Sequence, residues 1–416
     1  MSEKNIKKPE LLVPASSKEV LKTAVIFGAD AVYIGGEAYG LRAKAKNFTF
    51  EEMAEGIDFA HAHGVKVHVT VNILAHNYDL KGVREYLGKL KDIRPDALII
   101  ADPGIFTMAR EVCPEIDIHI STQANNTNYL TYDFWYRQGA RRVVSARELS
   151  LNEIKEIREH IPADMEIESF IHGAMCISYS GRCLLSSFLT GRDANRGACT
   201  HPCRWKYSLV EETRPGEYMP VFENDRGTFI FNSKDLCMIE HIPEMIDAGI
   251  DSFKIEGRMK TALYVATVAR TYKRAIDDYL ESEQKYRDNM DWYRREIAQC
   301  TYRQFTTGFY FGKPDENTQV YADSTYVKEA IYLGMIDEVN DDGSVTIEQK
   351  NKFCAGDNIE IMKPDGRNVP VKVISIRDEE GADLGSAPHA RQKLYITLDP
   401  PCGERHDLLR CAAIVC

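Results

Sequence analysis

The chain has 416 residues, and its 52 Lys and Arg against 63 Asp and Glu give a formal net charge of −11. This balance excludes a generally basic nucleic-acid coat protein. With 44% hydrophobic and 28% charged residues, the composition also excludes an intrinsically disordered chain. The length allows one large α/β barrel followed by a smaller module.

The first ten residues are polar, and the first apolar run, Leu11 to Val13, is too short for the core of a signal peptide. No stretch approaches the roughly 18 apolar residues of a membrane span. We therefore expect a soluble, cytoplasmic protein. In that compartment the eleven cysteines point to metal or redox chemistry rather than to structural disulfides.

Short β-rich runs alternate with stretches of helical periodicity over the first 300 residues. Eight strands are predicted, at Leu11–Ala15, Ala31–Gly35, Val65–Val71, Ala97–Ala101, Asp117–Ser121, Arg142–Ala146, Glu166–Ile171 and Ser252–Glu256. Helices are predicted at Ser17–Phe27, Phe50–Ala62, Gly82–Lys91, Gly104–Val112, Asn126–Gln138, Leu151–His160, Ser233–Ala248 and Thr261–Ile297. This alternation predicts a (β/α)8 TIM-like barrel. The alternative, an open doubly wound sheet, would be expected to carry a G-x-G-x-x-G turn after an early strand, and the sequence has none.

Polar residues follow the predicted strands, at the end where such barrels place their functional loops. Each one, taken singly, reads equally well as a helix cap or a bridge between strands. Together they predict a polar, largely cationic mouth formed by Arg42, Asn72, His76, Asp102, Gln123, Asn125, Arg147, Glu148, His172, Lys254, Glu256 and Arg258.

The connection after strand seven, about residues 173–232, is far longer than the others and has little helical periodicity. It contains Cys176, Cys183, Cys199 and Cys203, separated by six, fifteen and three residues. Four thiolates suit an iron–sulfur cluster or a structural zinc ion, and unmetallated thiols are the third interpretation. The spacing lacks both the C-x2-C pair common in zinc sites and the radical-SAM triplet. The other cysteines are expected to be small core or surface residues, with Cys237 in the middle of a helix.

This loop also differs in charge from the rest of the chain. Residues 174–207 include five cationic residues and one anionic residue, which gives this segment a net charge of +4. Aromatic side chains are interleaved with them and suit the stacking of unpaired bases. The pattern favours RNA binding, with a solvated loop as the alternative. The candidate RNA-binding residues are Arg182, Arg192, Arg196, Arg204 and Lys206, and the aromatic ones are Tyr179, Phe188, Trp205 and Tyr207.

The last part of the chain changes pattern. Residues 301–325 are expected to form a linker between a barrel domain of residues 1–300 and a module of residues 326–416. Short alternating runs separated by Asp342-Gly343 and Asp365-Gly366 turns predict a small antiparallel β-barrel there. Its strands are predicted at Ala330–Val339, Ser344–Glu348, Asn358–Met362, Val369–Ile376 and Lys393–Leu398.

Several blocks of the chain resemble those of peptidase family U32, the collagenase-like group. The most specific one runs from Glu168 to Cys176 and continues from Gly181 to Ser186. Further similar blocks cover most of the chain and lie at residues 12–15, 28–36, 121–123, 146–150, 232–236 and 254–258.

The resemblance implies a (β/α)8 domain that carries a 4Fe-4S cluster on Cys176, Cys183, Cys199 and Cys203. A chain of this length, with one barrel and one β module, looks most like the members that hydroxylate tRNA. The implied product is 5-hydroxyuridine at the wobble position of the anticodon loop, with prephenate as the oxygen donor. An electron donor or a homologous protein is a further candidate partner.

Roles follow from position at the strand ends. Arginine suits the carboxylates of prephenate, and carboxylate, imidazole or amine groups suit proton transfer. The candidate substrate-binding residues are Arg42, Asn72, Gln123, Arg147 and Arg258, and the candidate catalytic residues are His172, Glu256 and Lys254.

Three other functions remain open at this stage. They are a peptidase, a hydroxylase of ribosomal RNA or a quinone precursor, and a non-catalytic RNA-binding protein. The peptidase has little support in the sequence, which lacks both H-E-x-x-H and G-x-S-x-G.

Overall fold

The computed structural model describes most of the chain. The described residues are 7–40, 47–176, 178–194, 197–205, 209–210, 218–219, 223–224, 227–228, 234–257, 260–300, 302–312 and 330–412.

Seven strands and six helices alternate in the first part of the chain. The strands are β1 Glu10–Pro14, β2 Ala31–Gly35, β3 Lys66–Val71, β4 Ala97–Ile100, β5 Asp117–Ile120, β6 Arg142–Val144 and β7 Glu166–Ala174. The helices are α1 Lys18–Ile26, α2 Phe50–Ala62, α3 Val83–Ile93, α4 Pro103–Val112, α5 Tyr129–Gln138 and α6 Leu151–His160. Each predicted element of this region is present within a few residues of its expected bounds.

Local sequence fixes where several of these helices begin. Thr49 caps α2 in a reciprocal capping box with Glu52, and Ser150 caps α6 in the same way. Asp102 caps α4 directly before Pro103, a residue whose fixed φ suits the first helical position. These caps fix the first turns of α2, α4 and α6. Helix α4 begins directly after β4, whereas fourteen residues separate β2 from α2.

The insertion after β7 differs from the prediction near its end. It contains a short helix α7 Leu185–Thr190, two small strand pairs (β8 Leu209–Val210 with β9 Tyr218–Met219, and β10 Glu223–Asn224 with β11 Gly227–Thr228), strand β12 Asp235–Cys237 and helix α8 Ile242–Asp247. The predicted helix Ser233–Ala248 is wrong in its first half, because residues 235–237 pair antiparallel with β7. Cys237 accordingly lies in a strand, although it is buried as expected.

Strand β13 Ser252–Ile255 closes the barrel. It pairs in parallel with both β1 and β7, so β1 to β7 and β13 form a closed ring of parallel strands. The predicted eight-stranded parallel barrel is confirmed. The long helix expected at Thr261–Ile297 is three helices, α9 Ala262–Glu281, α10 Glu283–Asp288 and α11 Met290–Ala298, followed by the short strand β14 Phe305–Thr306.

The C-terminal module is an antiparallel sheet that closes on itself. Its strands are β15 Ala330–Val339, β16 Val345–Glu348, β17 Phe353–Cys354, β18 Asn358–Met362, β19 Asn368–Arg377, β20 Asp383–Leu384, β21 Ser386–Ala387, β22 Lys393–Asp399 and β23 Leu408–Ala412. The sheet order is β18-β23-β15-β16-β22-β19-β20, and pairing between β18 and β19 completes the ring. The prediction missed four of these strands, including β23.

The module and the barrel share packed and charged contacts. Arg270 of α9 and Arg410 of β23 both donate to the buried carboxylate of Glu296 in α11. Tyr332 of β15 donates to Glu19 of α1 at 2.8 Å. Tyr332, Met335, Met362 and Leu408 from the module also belong to the same apolar core as the barrel.

In the part of the chain that the structure describes, no helix combines the length and apolarity of a bilayer-crossing segment.

Candidate active site

The floor of the barrel is a buried ion network that the sequence prediction missed. Glu168 of β7 is fully buried and accepts from Arg142 Nη1 of β6 at 3.1 Å and from Lys254 Nζ of β13 at 2.6 Å. Arg142 also donates to Glu10 of β1 and to Glu166 of β7. The network ties together four of the eight strands. Ionised groups in such a place are retained only when each is paired.

Burial and charge act in opposite directions on the carboxylates of this network. Burial alone would raise the pKa of Glu10, but the charge and hydrogen bonds of Arg142 outweigh it and lower the pKa to about 2. The pKa of Glu168 is lowered for the same reason, with the Lys254 charge as the larger favourable influence. Both carboxylates are therefore ionised at neutral pH.

Two histidines complete the interior. The rings of His68 in β3 and His119 in β5 lie 4.7 Å apart and edge to face. Burial lowers the pKa of His68 to about 4 and that of His119 well below its ordinary value. The two imidazoles are neutral at pH 7, so the charge of the barrel floor is set by its carboxylates and the two cations.

Aromatic rings separate this floor from the mouth. Lys254 Nζ lies 4.6 Å from the centroid of Tyr33 and 5.6 Å from that of Phe170. The Arg147 guanidinium lies 4.0 Å from the centroid of the same Phe170 ring. Phe170 thus contacts one cation of the floor and one of the mouth, in the geometry of a cation–π interaction.

The ends of β6, β7 and β13 meet at Arg147. Its Nη1 atom donates to the carbonyl oxygen of Ala174 at 3.0 Å and to Cys176 Sγ at 3.9 Å. Its Nη2 atom lies 3.4 Å from Glu256 Oε2. The two charged side chains are 11% and 13% exposed, so this ion pair borders the solvent at the mouth. Of the predicted site residues, Arg147, Glu256 and Cys176 are therefore brought together.

Asn72 and Gln123 lie at the ends of β3 and β5 and share Ser121. Asn72 Nδ2 donates to Ser121 Oγ at 3.2 Å, and the same hydroxyl accepts from the Gln123 backbone N–H at 3.3 Å. A Cβ on Gly181 would lie 2.6 Å from Gln123 Oε1. The loop that carries Cys176, Cys183, Cys199 and Cys203, called the cysteine loop below, therefore passes directly over this part of the mouth. A side chain at residue 181 would collide with Gln123.

His172 faces away from the mouth, unlike the other strand-end residues. Its ring packs on Tyr264 and Tyr272 of α9 and on Phe305 of β14. The pairing of β7 with β13 shifts register between Lys254 and Ile255 and therefore breaks the simple alternation along the strand. Burial lowers the pKa of His172 to about 3, so it stays neutral at pH 7 and is a poor candidate for proton transfer.

None of the four cysteines of the loop, all of which the structure describes, forms a disulfide. Cys176 and Cys199 are exposed, and Cys183 and Cys203 are partly exposed. The His201 backbone N–H lies 3.3 Å from Cys199 Sγ. Within the described residues, no three His, Cys, Asp or Glu side chains converge closely enough to hold a metal ion. In donor chemistry, four soft thiols on one loop still fit an all-cysteine cluster.

The cysteine loop exposes apolar and aromatic side chains. Phe188 of α7 is 86% exposed, and Leu184, one turn earlier, is 68% exposed. Tyr179 and Trp205 are also exposed, as are the cationic residues Arg182 and Arg192. Arg42, Arg196, Lys206, Tyr207 and Arg258 lie outside the described residues, as does the side chain of Arg204.

Glu148 is a titratable group of the mouth to which the sequence analysis gave no role. Glu148 directly follows Arg147, and burial raises its pKa despite the opposing charge of that arginine. Its position after a strand was a visible signal. The floor network was also visible, because charged residues at alternate positions of a barrel strand, as at Glu166 and Glu168, need buried partners.

Family models match almost the whole chain. The model of peptidase family U32 matches residues 16–320, and the model of the family's C-terminal domain matches residues 328–410. The chain belongs to peptidase family U32. The family blocks quoted above include Arg147, Cys176 and Glu256 of the mouth and Glu168 and Lys254 of the floor.

Curated members of the family cover most of the chain. It is 43% identical over 394 residues to the "tRNA hydroxylation protein P1" of Bacillus subtilis, covering 94% of this chain and 92% of that one. It is 38% identical over 421 residues to the "tRNA hydroxylation protein P" of Escherichia coli, covering 92% of both chains. The "23S rRNA 5-hydroxycytidine C2501 synthase" of Escherichia coli is 38% identical over 272 residues, which are 65% of this chain and 40% of that one.

Proposed function

We propose that this chain is an enzyme that hydroxylates RNA, that its substrate is tRNA, and that its product is 5-hydroxyuridine at the wobble position. The names of the relatives that match more than nine-tenths of the chain support this class of reaction. The observation that carries the proposal is the contact of Arg147 with both Cys176 and Glu256. Through this contact the cysteine loop and the Glu256 carboxylate lie side by side at the mouth of a closed barrel, which supports redox chemistry coupled to proton transfer there.

The proposed cofactor is a 4Fe-4S cluster on Cys176, Cys183, Cys199 and Cys203, with structural zinc as the alternative. Hydroxylation replaces the C5–H bond of uracil with a C5–OH bond. The two electrons that the base loses pass to the oxygen donor, in which the C–OH bond that gives up the oxygen is replaced by a C–H bond. A cluster held by these thiols would supply one-electron transfer next to the mouth. The exposure of the four thiols at the edge of the barrel is consistent with that role.

The cysteine loop is also the proposed RNA-binding surface. A wobble base lies in an anticodon loop and can be splayed out without breaking a duplex. The exposed rings of Tyr179, Phe188 and Trp205 suit stacking on such bases. The proposed phosphate contacts are Arg182, Arg192, Arg196, Arg204 and Lys206.

Prephenate is the proposed oxygen donor, and its carboxylates need cations. The described mouth cations already have carboxylate partners, since Arg147 pairs with Glu256 and Lys254 with Glu168. We therefore assign the donor's carboxylates to Arg42 and Arg258, and its neutral polar groups to Asn72 and Gln123.

Glu256 is the proposed acceptor of the proton from C5. Its carboxylate lies at the mouth and is oriented by Arg147. Lys254 is held by Glu168 below the Phe170 ring, so we assign it to charge stabilisation rather than to proton transfer. The proposed setting is the cytoplasm, where tRNA is found, with an electron donor or a homologous protein as further partner.

Mass spectrometry of tRNA nucleosides tests the function directly. The host strain lacks this gene and any oxygen-dependent route to the same modification, and it is complemented with the wild type, Cys199→Ser or the control Cys354→Ser. Cys354 is also a free, partly exposed thiol, but it lies in the C-terminal module. We expect 5-hydroxyuridine to return with the wild type and the control and to stay absent with Cys199→Ser.

The outcomes separate the remaining functions. Return of the modification with all three proteins would refute the role of the thiols, and its absence with all three would refute the tRNA hydroxylase. Iron, sulfide and zinc contents of the purified protein decide between the two metal sites. A donor other than prephenate would show as product formation in a purified system that lacks prephenate.

One contact favours a peptidase as second candidate. Cys199 Sγ lies 4.0 Å from His201 Nδ1, and a thiol beside an imidazole is the core of a cysteine nucleophile site. A peptidase would cleave denatured collagen after removal of iron and would lose that activity in His201→Ala. Absence of cleavage by the metal-free protein would exclude it.

A further inference from the structure

Arg147 is held on four sides at once. Its guanidinium contacts the Ala174 carbonyl oxygen, Cys176 Sγ and the Glu256 carboxylate, and its Cζ atom lies 4.0 Å from the centroid of the Phe170 ring. Few of its rotamers remain accessible, because contacts from β7 and from the residue after β13 restrict the planar group. This side chain was expected to bind a substrate carboxylate, but its Nη1 and Nη2 atoms already face groups of the protein, while its buried Nε has no hydrogen-bond partner among the described residues.

The loop that carries Arg147 is itself anchored. The Ala146 backbone N–H donates to the Asn126 carbonyl at 3.2 Å, and the Leu151 N–H donates to the Tyr310 carbonyl at 3.0 Å. These bonds hold both sides of Arg147 to neighbouring parts of the barrel. The contact with Cys176 is therefore made from a rigid platform to a residue of the exposed loop.

A cationic N–H donor at a thiolate sulfur has a known electrical effect. It withdraws electron density from the sulfur and stabilises the more negative state of a bound cluster, which raises the reduction potential. Arginine stays charged throughout the pH range in which proteins are folded. The effect would therefore be constant with pH.

We propose that Arg147 is a positioning residue that sets the reduction potential of a cluster on the cysteine loop, and that Glu256 acts on this potential by orienting the guanidinium. The inference rests on the proposed function, because it requires the cluster assigned there. The redox step is the uptake of one electron by the oxidised cluster from an added chemical reductant, and no covalent bond forms or breaks.

The test is a potentiometric titration of the anaerobically prepared full-length protein, followed by visible absorbance and electron paramagnetic resonance. We expect Arg147→Gln to lower the midpoint potential at unchanged iron and sulfide content, and Arg147→Lys to restore part of the shift. The matched control is Lys155→Gln, which removes an exposed positive charge from α6 of the same βα unit. It should leave the potential unchanged.

Glu256→Gln provides the second arm. Because the carboxylate acts through Arg147, its effect on the potential should be much smaller in the Arg147→Gln background than in the wild type. Equal effects in the two backgrounds would refute the coupling. If Arg147→Gln loses the cluster, the Arg147→Lys protein is titrated instead, and a wild-type potential there would refute the proposal.

The alternative role of Arg147 gives a different result. A residue that binds the donor's carboxylate would raise KM in Arg147→Lys and leave the potential where it was, which would overturn the proposal. A wild-type protein without iron and sulfide would overturn the cluster itself. Metal analysis shows that failure before any titration is made.

Discussion

Glu168 is the residue through which the barrel floor can be tested most directly. It is fully buried and is shared by Arg142 and Lys254. Glu168→Gln keeps the shape of the side chain, so no cavity forms, but it removes the negative charge. Arg142 keeps Glu10 and Glu166 as partners, whereas Lys254 loses the carboxylate that the described residues provide for it.

The expected loss of stability in Glu168→Gln follows from this difference between Arg142 and Lys254. Removing one member of a buried ion pair typically lowers the free energy of unfolding by about 3–5 kcal/mol, because the remaining charge stays buried without a partner. Removing the second charge should recover most of the loss. We therefore expect Glu168→Gln to lose roughly 3 kcal/mol or more, and Glu168→Gln with Lys254→Met to be substantially more stable than Glu168→Gln alone.

Urea unfolding followed by far-UV circular dichroism measures both values, from the midpoint and the slope of each transition. Thr107→Ala, a change on the surface of α4, serves as a control for unspecific effects. A loss below about 1 kcal/mol in Glu168→Gln would show that the network is solvated or already neutral. Failure of Lys254→Met to recover stability would show that the buried charge is not the cause.

Three further predictions concern other parts of the molecule. Glu10 has a pKa of about 2 in the folded protein against an ordinary value of 4.5, so it contributes about 3 kcal/mol of stability above pH 5 that is lost as the pH falls toward 2. This loss of stability is measured from the unfolding midpoint at a series of pH values, and in the control Glu10→Gln the loss between pH 5 and pH 2 should be absent. Glu296→Gln should lower the free energy of unfolding by roughly 3 kcal/mol, because buried Arg270 loses its carboxylate partner and buried Arg410 loses one of the two carboxylates that it contacts; thermal unfolding checks it. Gly173→Ala should disrupt the mouth, because φ is +112° and the new Cβ would lie 2.5 Å from the Glu256 carbonyl oxygen. The matched control is Gly191→Ala, where φ is also positive but the space around the new Cβ is open. It should lower the free energy of unfolding by only about 1 kcal/mol.

Each of these predictions has a result that contradicts it. Equal acid sensitivity of wild type and Glu10→Gln would remove Glu10 as the cause. Unchanged thermal stability of Glu296→Gln would mean that water reaches the contact between barrel and module. Equal yields of 5-hydroxyuridine with the two glycine variants would mean that the mouth tolerates the displacement of Glu256.

The barrel could be predicted from sequence because its strands are short apolar runs separated by capped helices. Those signals are local, as the caps at Thr49 and Ser150 show. Strand β12 could not be predicted in this way. Leu236 and Cys237 of β12 and the following Met238 are apolar in a row, which suits a helix and a strand equally, and pairing with β7 decides between them.

The sequence contains capping residues at the two breaks that divide the predicted helix Thr261–Ile297 into α9, α10 and α11. Ser282 ends α9 and caps α10 by accepting from the Lys285 N–H, and Asn289 separates α10 from α11. Both residue types favour caps over helix interiors. Periodicity alone runs through these breaks, because each new helix continues to bury apolar residues.

The site was predictable in its position but not in its contacts. Parallel strands of a barrel end at one face, and residues that follow different strands therefore lie close together. Arg147, Glu256 and Cys176 meet for this reason. The direction of His172 depends on a register shift between β7 and β13, for which the sequence carries no local signal. Whether a cation at the mouth is free to bind substrate likewise depends on partners far away in the chain.

The shared core of barrel and module restricts how this protein can change over evolutionary time. Deleting or exchanging the module would uncover Thr23 and Thr267 on α1 and α9, which lie against methionine sulfurs of the module, and would strip Glu296 of one of its two arginines. The module therefore cannot be gained or lost simply by joining or separating two coding sequences. It requires coordinated substitutions on the outer face of the barrel, and a lineage that has lost the module should carry polar residues there or cover the face with another subunit.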